Sequence, residues 1–236
     1  MNISKFLWTR FGLAHKPIIN YSLSGIELTQ VTTINDLGVT FDSKLNFSSH
    51  CHRVAAKGYS RVNMLLKYFH TKDRSLQCKL FSVFVLPVLH YNSPIRSPHF
   101  VKDVVIIERV QKYFTKNLKG LRDKPYKERL SILKLPTLEC RRAHNDLIFL
   151  YKIIHGLSDT SLLNMFPPIA YDSNLVLRCH PHQLNLPLPR TDLLKYSFHY
   201  RSVKTWNSHP CRICSSPTLA SFNKSLMPYL CQAVFN

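Results

Sequence analysis

Two rows of cations are the residues of this chain best suited to chemistry. Arg53, Lys57 and Arg61 recur at every fourth position, and Arg109, Lys112, Lys116 and Lys119 fall at offsets of three, seven and ten. Wound into helices, each set lies on one face. Four residues of helix rise about 6 Å, near the step between successive phosphates of a nucleic-acid strand, so such a row can follow a backbone by charge alone. One row would serve equally well to solvate a surface; two rows in separate segments argue for a polyanion partner.

Other chemistry is poorly provided for. Two-metal phosphoryl transfer needs clustered carboxylates to hold Mg²⁺, and the 13 Asp and Glu residues stand singly, never adjacent. There is no Gly-x-Ser-x-Gly elbow, and 6 widely separated glycines make no phosphate-cradling loop. Cys140 is flanked by Arg141 and Arg142, which would lower its pKa, but a cysteine on a helix surface is usually inert. For a metal, Cys211-Arg212-Ile213-Cys214 supplies one half of a zinc site, with Cys179, His180 or His182 as the other half. The Cys-His-Pro-His spacing is unorthodox and the insertion is long, so no metal site is expected. A non-enzymatic zinc-containing interaction module around Cys179, His182, Cys211 and Cys214 is the alternative from another function class.

The composition sets the frame. The chain has 236 residues, 45% of them hydrophobic and 19% charged, enough to bury a core. With 32 Lys and Arg the formal net charge is +19, and nucleic acid is the commonest partner for such a surplus. The 7 cysteines, odd in number and irregularly spaced, do not read as the framework of a small secreted domain and fit a reducing, intracellular compartment. Lys5 and Arg10 interrupt the apolar N-terminus, so neither a signal peptide nor an anchor is expected there. The most apolar stretch, 81–89, is about half a membrane span and carries Pro87; it reads as a buried helix.

The elements that must position the rows follow from periodicity. Residues 1–41 read as two or three antiparallel strands, too few for a stable sheet alone, so the remainder of the sheet is expected upstream of Met1. Gly38, inside the third extended piece, reads as a bulge or a close backbone approach. Cys51, Ala55, Gly58, Val62, Leu65 and Phe69 form one apolar stripe at helical spacing, with Arg53, Lys57 and Arg61 on its flank. A second helix, capped by Thr71 or Asp73, should cover 74–90 with Leu76, Leu80, Phe81, Phe84 and Val88 inward, kinked or ended by Pro87. A third should run over 101–119 with Val104, Ile107, Val110, Phe114 and Leu118 inward. A short helix follows at 127–133. A longer one, with Pro136 in its first turn, should close at Gly156. The reading is therefore mainly α: a palm-like β segment to residue 46, a helical thumb-like domain over 47–156, a Pro-rich irregular linker over 157–195, and a C-terminal packing segment over 196–236.

Several segments, in order, resemble a known family. Asp36-Leu37-Gly38-Val39-Thr40-Phe41-Asp42-Ser43-Lys44-Leu45-Asn46-Phe47 comes first, then Leu86-Pro87-Val88-Leu89-His90-Tyr91-Asn92-Ser93-Pro94. Glu108-Arg109-Val110-Gln111-Lys112-Tyr113-Phe114-Thr115 follows, and then Arg129-Leu130 through Leu135-Pro136-Thr137-Leu138-Glu139-Cys140-Arg141-Arg142. Tyr200-Arg201-Ser202-Val203 and Trp206-Asn207-Ser208 continue the series. Together they resemble the C-terminal part of reverse transcriptases encoded by non-LTR (LINE-type, jockey-like) retrotransposons. The resemblance implies that Leu37-Gly38 matches the segment gripping the primer end and that 47–156 matches the helical thumb. It implies that the catalytic Asp-Asp strand, the fingers and the endonuclease domain lie outside this chain. The expected role is to hold a template-primer duplex through phosphates contacted by Arg53, Lys57, Arg61, Arg109, Lys112, Lys116 and Lys119. No cofactor is expected in this chain, and Mg²⁺ only if an upstream palm is present; no membrane partner is expected.

Overall fold

The computed structural model describes residues 6–12, 20–158, 160–166, 182–186 and 188–235. The chain is mainly helical, and among the described residues its short strands lie within the first forty-two positions. β1 (Leu7–Trp8) pairs with β4 (Thr29–Gln30), and between them β2 (Ser22–Leu23) pairs with β3 (Ile26–Glu27). The β2–β3 pair is antiparallel around Ser24-Gly25, but β1 and β4 run parallel, against the antiparallel expectation. An intervening hairpin, not a direct turn, connects them, so the chain can return in its original sense.

The third extended piece is also not one strand. β5 (Thr33–Asp36) and β6 (Val39–Asp42) form a hairpin whose loop is only Leu37-Gly38. Both loop residues have positive φ, 44° and 80°, as in a type I′ turn, whose twist matches that of the flanking strands. Gly38 therefore makes the turn instead of a bulge. Leu37 occupies the other left-handed position, which disfavours a side chain.

Asp42 then organises the link to the first helix by accepting from the backbone N–H of Asn46 at 2.6 Å and of Lys44 at 3.1 Å. α1 (Ser48–Tyr68) begins where the Asn46 side chain accepts from Ser48 N–H at 3.1 Å. The predicted stripe is its buried face from Cys51 to Leu65, whereas Phe69 lies past the last turn and is exposed. α2 (Arg74–Phe84) starts at Asp73, whose carboxylate accepts from Ser75 N–H at 2.8 Å. Pro87 sits in the first turn of a separate short helix, α3 (Leu86–His90). Inward positions nevertheless recur every fourth residue across Val85. Leu76 is exposed, while Gln77, Phe81, Val85, Leu86 and Leu89 are buried. Gln77 is tolerated inside because its amide donates at 2.8 Å to the Phe69 carbonyl just past the end of α1.

α4 (Val101–Lys116) packs on α1 at Gly58. A Cβ there would lie 2.8 Å from Leu89 Cδ2 and 3.1 Å from Val110 Cγ1, so only glycine permits this approach of three helices. Lys119 falls beyond α4, contrary to the longer helix expected. Its carbonyl accepts from Arg74 Nη2 at 2.8 Å, which closes the turn after the helix. Phe81 and Phe114 stack at 4.3 Å in this first core.

After α5 (Tyr126–Leu133), α6 (Leu138–Ile154) starts at Thr137, whose hydroxyl accepts from Cys140 N–H at 3.1 Å. Pro136 precedes this cap and is not in the first turn. Gly156, at φ 65°, ends α6 as predicted: Leu157 N–H bonds to Lys152 O at 2.8 Å and Gly156 N–H to Ile153 O at 3.2 Å. A 3-10 helix covers Thr160–Met165. The short α7 (Asp192–Lys195) and α9 (Cys211–Cys214) flank α8 (Phe198–Asn207), and α10 (Leu219–Phe235) closes the chain. The last segment returns to pack on α6. Tyr151 stacks on Phe222 at 4.5 Å, and Trp206, Val203, Leu226 and Leu150 complete a second core. Leu138, at the start of α6, belongs to the first core and Cys140 to the second, so α6 joins the two.

Candidate nucleic-acid interface

The two cationic rows do not share one face. Arg53, Lys57 and Arg61 lie on the flank of α1 toward the β5–β6 hairpin and α3. Lys57 and Arg61 line a groove of about 500 Å³ there, together with Leu37, Gly38, Val88 and Tyr91. The opposite flank of α1 meets α4: Tyr59 packs edge-on against Tyr113 at 5.5 Å, and Tyr113 Oη donates to Asn63 Oδ1 at 2.9 Å. Arg109 lies close enough to Tyr59 to act on its hydroxyl electrostatically. α1 therefore stands between the rows.

Within each row the side chains differ. Arg53 is half-buried and committed: its Nη2 donates to Gly38 O at 3.0 Å and Asn35 Oδ1 at 3.2 Å, and it lies 3.3 Å from His50 Nδ1. It braces the hairpin turn and is not free to track a backbone. Lys57 and Arg61 are exposed, as are Arg109, Lys116 and Lys119. None of these five makes an ion pair among the described residues. Lys112 is half-buried, with its ammonium 5.1 Å from the centre of the Tyr126 ring. Leu37 is 78% exposed at the tip of the turn.

The acids explain why so many cations stand uncompensated, because the structure uses carboxylates internally. Asp103 accepts from Ser48 Oγ at 2.5 Å, and Asp146 accepts from Arg201 Nε at 2.7 Å. Glu108, in the segment that carries the α4 row, turns inward to accept from Tyr126 Oη and, at 2.9 Å, from the Leu138 N–H that opens α6. Burial pushes its pKa up, against these hydrogen bonds, which pull it down. Gln111 donates beside it to Pro136 O at 2.8 Å. Periodicity gives this segment its inward apolar residues and its cations but not the inward Glu108 and Gln111, which sit next to the inward Ile107 and Val110 on the same helix face.

Residues that periodicity did not flag form the floor of the groove. His50 is buried, and its Nδ1 accepts from Thr40 N–H at 3.2 Å, which assigns the imidazole proton to Nε2. Burial, then the charges of Arg96, Arg53 and Lys57, pull its pKa down to about 4, so the ring is neutral at physiological pH. Arg96 is wholly buried, with Nε 2.5 Å from Tyr91 O and Nη2 2.8 Å from Leu89 O, while Nη1 has no partner.

Of the zinc candidates, Cys211 and Cys214 lie in different surroundings. Cys211 is exposed beside Ser215 Oγ at 3.2 Å, and Cys214 is buried with its thiol 3.8 Å from Trp206 O. Cys179 and His180 lie outside the described residues. Among the described residues no group of three His, Cys, Asp or Glu side chains is placed to hold a metal ion. None of their helices is long and apolar enough to cross a membrane.

No family model and no solved structure matches the chain. An uncharacterized protein of Caenorhabditis elegans is 29% identical over 85 residues, which is 36% of this chain and 43% of that protein.

Proposed function

We propose that this chain is the duplex-holding, thumb-like portion of a non-LTR retrotransposon RNA-directed DNA polymerase. It grips an RNA-DNA template-primer duplex by its phosphates and carries no catalytic residue of its own. The observation that carries the reading is the division of charge. Buried acids are tied to internal donors, while Lys57, Arg61, Arg109, Lys116 and Lys119 project from α1, α4 and the turn after α4 without an ion pair among the described residues. Cations that contact only phosphates position a duplex without reading its sequence. Any Mg²⁺ chemistry belongs to a palm domain that would be carried outside this chain. Leu37 and Gly38, beside the groove, are the positions at which the resemblance puts the primer end.

The test is binding to a labelled RNA-DNA primer-template with hydroxyl ends across a salt series. Affinity should fall with a log-log slope of about −0.9 per phosphate contacted. Replacing Arg109, Lys116 and Lys119 by Gln should flatten the slope by roughly two to three units and weaken all sequences alike. Weak binding indifferent to these substitutions would sink the proposal.

A further inference from the structure

The groove beside α1 is bordered by the β5–β6 turn. Tyr91 Oη donates to Leu37 O at 2.9 Å and Arg53 donates to Gly38 O at 3.0 Å, so the turn is tied to the end of α3 and to α1 and holds that border in place.

Charge inside the groove is of one sign. Lys57 and Arg61 stand at its exposed side, Arg96 and His50 lie at its floor, and no carboxylate is among the residues that line it. The two floor side chains are almost completely buried, and each keeps a nitrogen without a partner: Nη1 of Arg96 and Nε2 of His50. A buried guanidinium nitrogen left unsatisfied is costly, and an anionic oxygen relieves that cost. The remaining wall, from Val83, Phe84, Pro87 and Val88, is apolar and partly exposed, which suits the flat face of a nucleoside. At about 500 Å³ the space falls within the ordinary range of small-ligand sites.

We propose that this groove is a receptor for a phosphate monoester at the end of a nucleic-acid strand, with the terminal nucleoside against the apolar wall. A monoester is close to a dianion at neutral pH, so it satisfies a groove lined by cations and no carboxylate better than a singly charged diester does. The inference rests on nucleic acid being the partner, but not on the duplex clamp.

The experiment compares single-stranded oligonucleotides of one sequence with a 5′-phosphate, a 3′-phosphate or hydroxyl ends, at fixed salt. One phosphorylated end should bind about tenfold or more tightly than the hydroxyl form, the scale of one charge-assisted hydrogen bond. The preference, not merely the affinity, should collapse in the Lys57→Gln/Arg61→Gln variant, whose changes are on exposed side chains. Competition by a nucleoside monophosphate and by inorganic phosphate separates the sources: a strand end should compete best, the free nucleotide next and phosphate alone least. Equal affinity for phosphorylated and hydroxyl ends overturns the proposal, even where a mononucleotide binds. Hydroxyl-ended duplex binding is read separately, so loss of the clamp and loss of this site are distinguishable.

Discussion

The rows on α1 and α4 have nearly the same spacing in sequence and different surroundings in space. The α1 row is walled by the β5–β6 hairpin and by α3, and its first member, Arg53, is held by the Gly38 carbonyl and Asn35. The α4 row faces outward, and Lys112 leans on a neighbour, the Tyr126 ring. Equal periodicity therefore gives unequal freedom. A cation that satisfies a backbone carbonyl contributes to holding a turn, whereas one in open solvent contributes long-range attraction that salt screens.

The largest expected effect tests the walled side alone. His50 has a folded pKa of about 4 against an ordinary 6.5. Above pH 6.5 both states are neutral there. As pH falls toward 4 the unfolded chain takes a proton that the folded ring refuses, so stability is lost across that window. The limit is roughly 3 kcal/mol, from 1.36 kcal/mol per pKa unit. Glu108 and Asp146, both pushed up by burial, act in the opposite sense as they protonate. The difference between the parent chain and His50→Gln isolates the imidazole: urea midpoints should fall more steeply with acid in the parent. An identical pH profile for the two would mean that His50 is not the groove's acid-sensitive member. Hydrogen exchange at Thr40 N–H, which His50 accepts, should quicken in parallel.

The next effect breaks both rows together. Gly58→Ala places a methyl group against Leu89 and the stiff Val110, where α1 meets α3 and α4. Overpacking costs about 1–3 kcal/mol, partly offset by about 1 kcal/mol of helix propensity. A net loss of stability in chemical denaturation is expected; a gain would show that the helices can part without cost.

The smallest effect sharpens the contrast within one row. Lys57→Gln should flatten the salt slope of duplex binding by roughly 0.9, whereas Arg53→Gln should leave the slope nearly unchanged and loosen the hairpin. Equal slopes for the two variants would erase the distinction between a bracing arginine and a phosphate-binding lysine.

The elements were legible to different degrees. The stripe of α1, the cap at Asp73 and the stop at Gly156 follow from local rules, since apolar spacing, a short acceptor side chain and an achiral residue act within a few positions. The β5–β6 hairpin was present as Asp36-Leu37-Gly38-Val39 but was read as one strand, because a leucine at positive φ is an unusual first turn residue. Apolarity alone points Leu76 inward, but α2 buries its neighbour Gln77 instead, because the Phe69 carbonyl accepts from that amide, and spacing does not reveal such a distant acceptor.

The sequence by itself determined a mainly α chain, two cationic helix faces and a shortage of carboxylates, because these depend on composition and on contacts between near neighbours. The tertiary structure decided that α1 separates the rows and that Arg53 is spent on a turn fifteen residues away. It also set His50 and Arg96 beneath a cationic groove, and turned Glu108 and Gln111 inward to hold the start of α6. Those outcomes depend on which distant carbonyls and amides need partners once water is excluded, and spacing along the chain does not specify that.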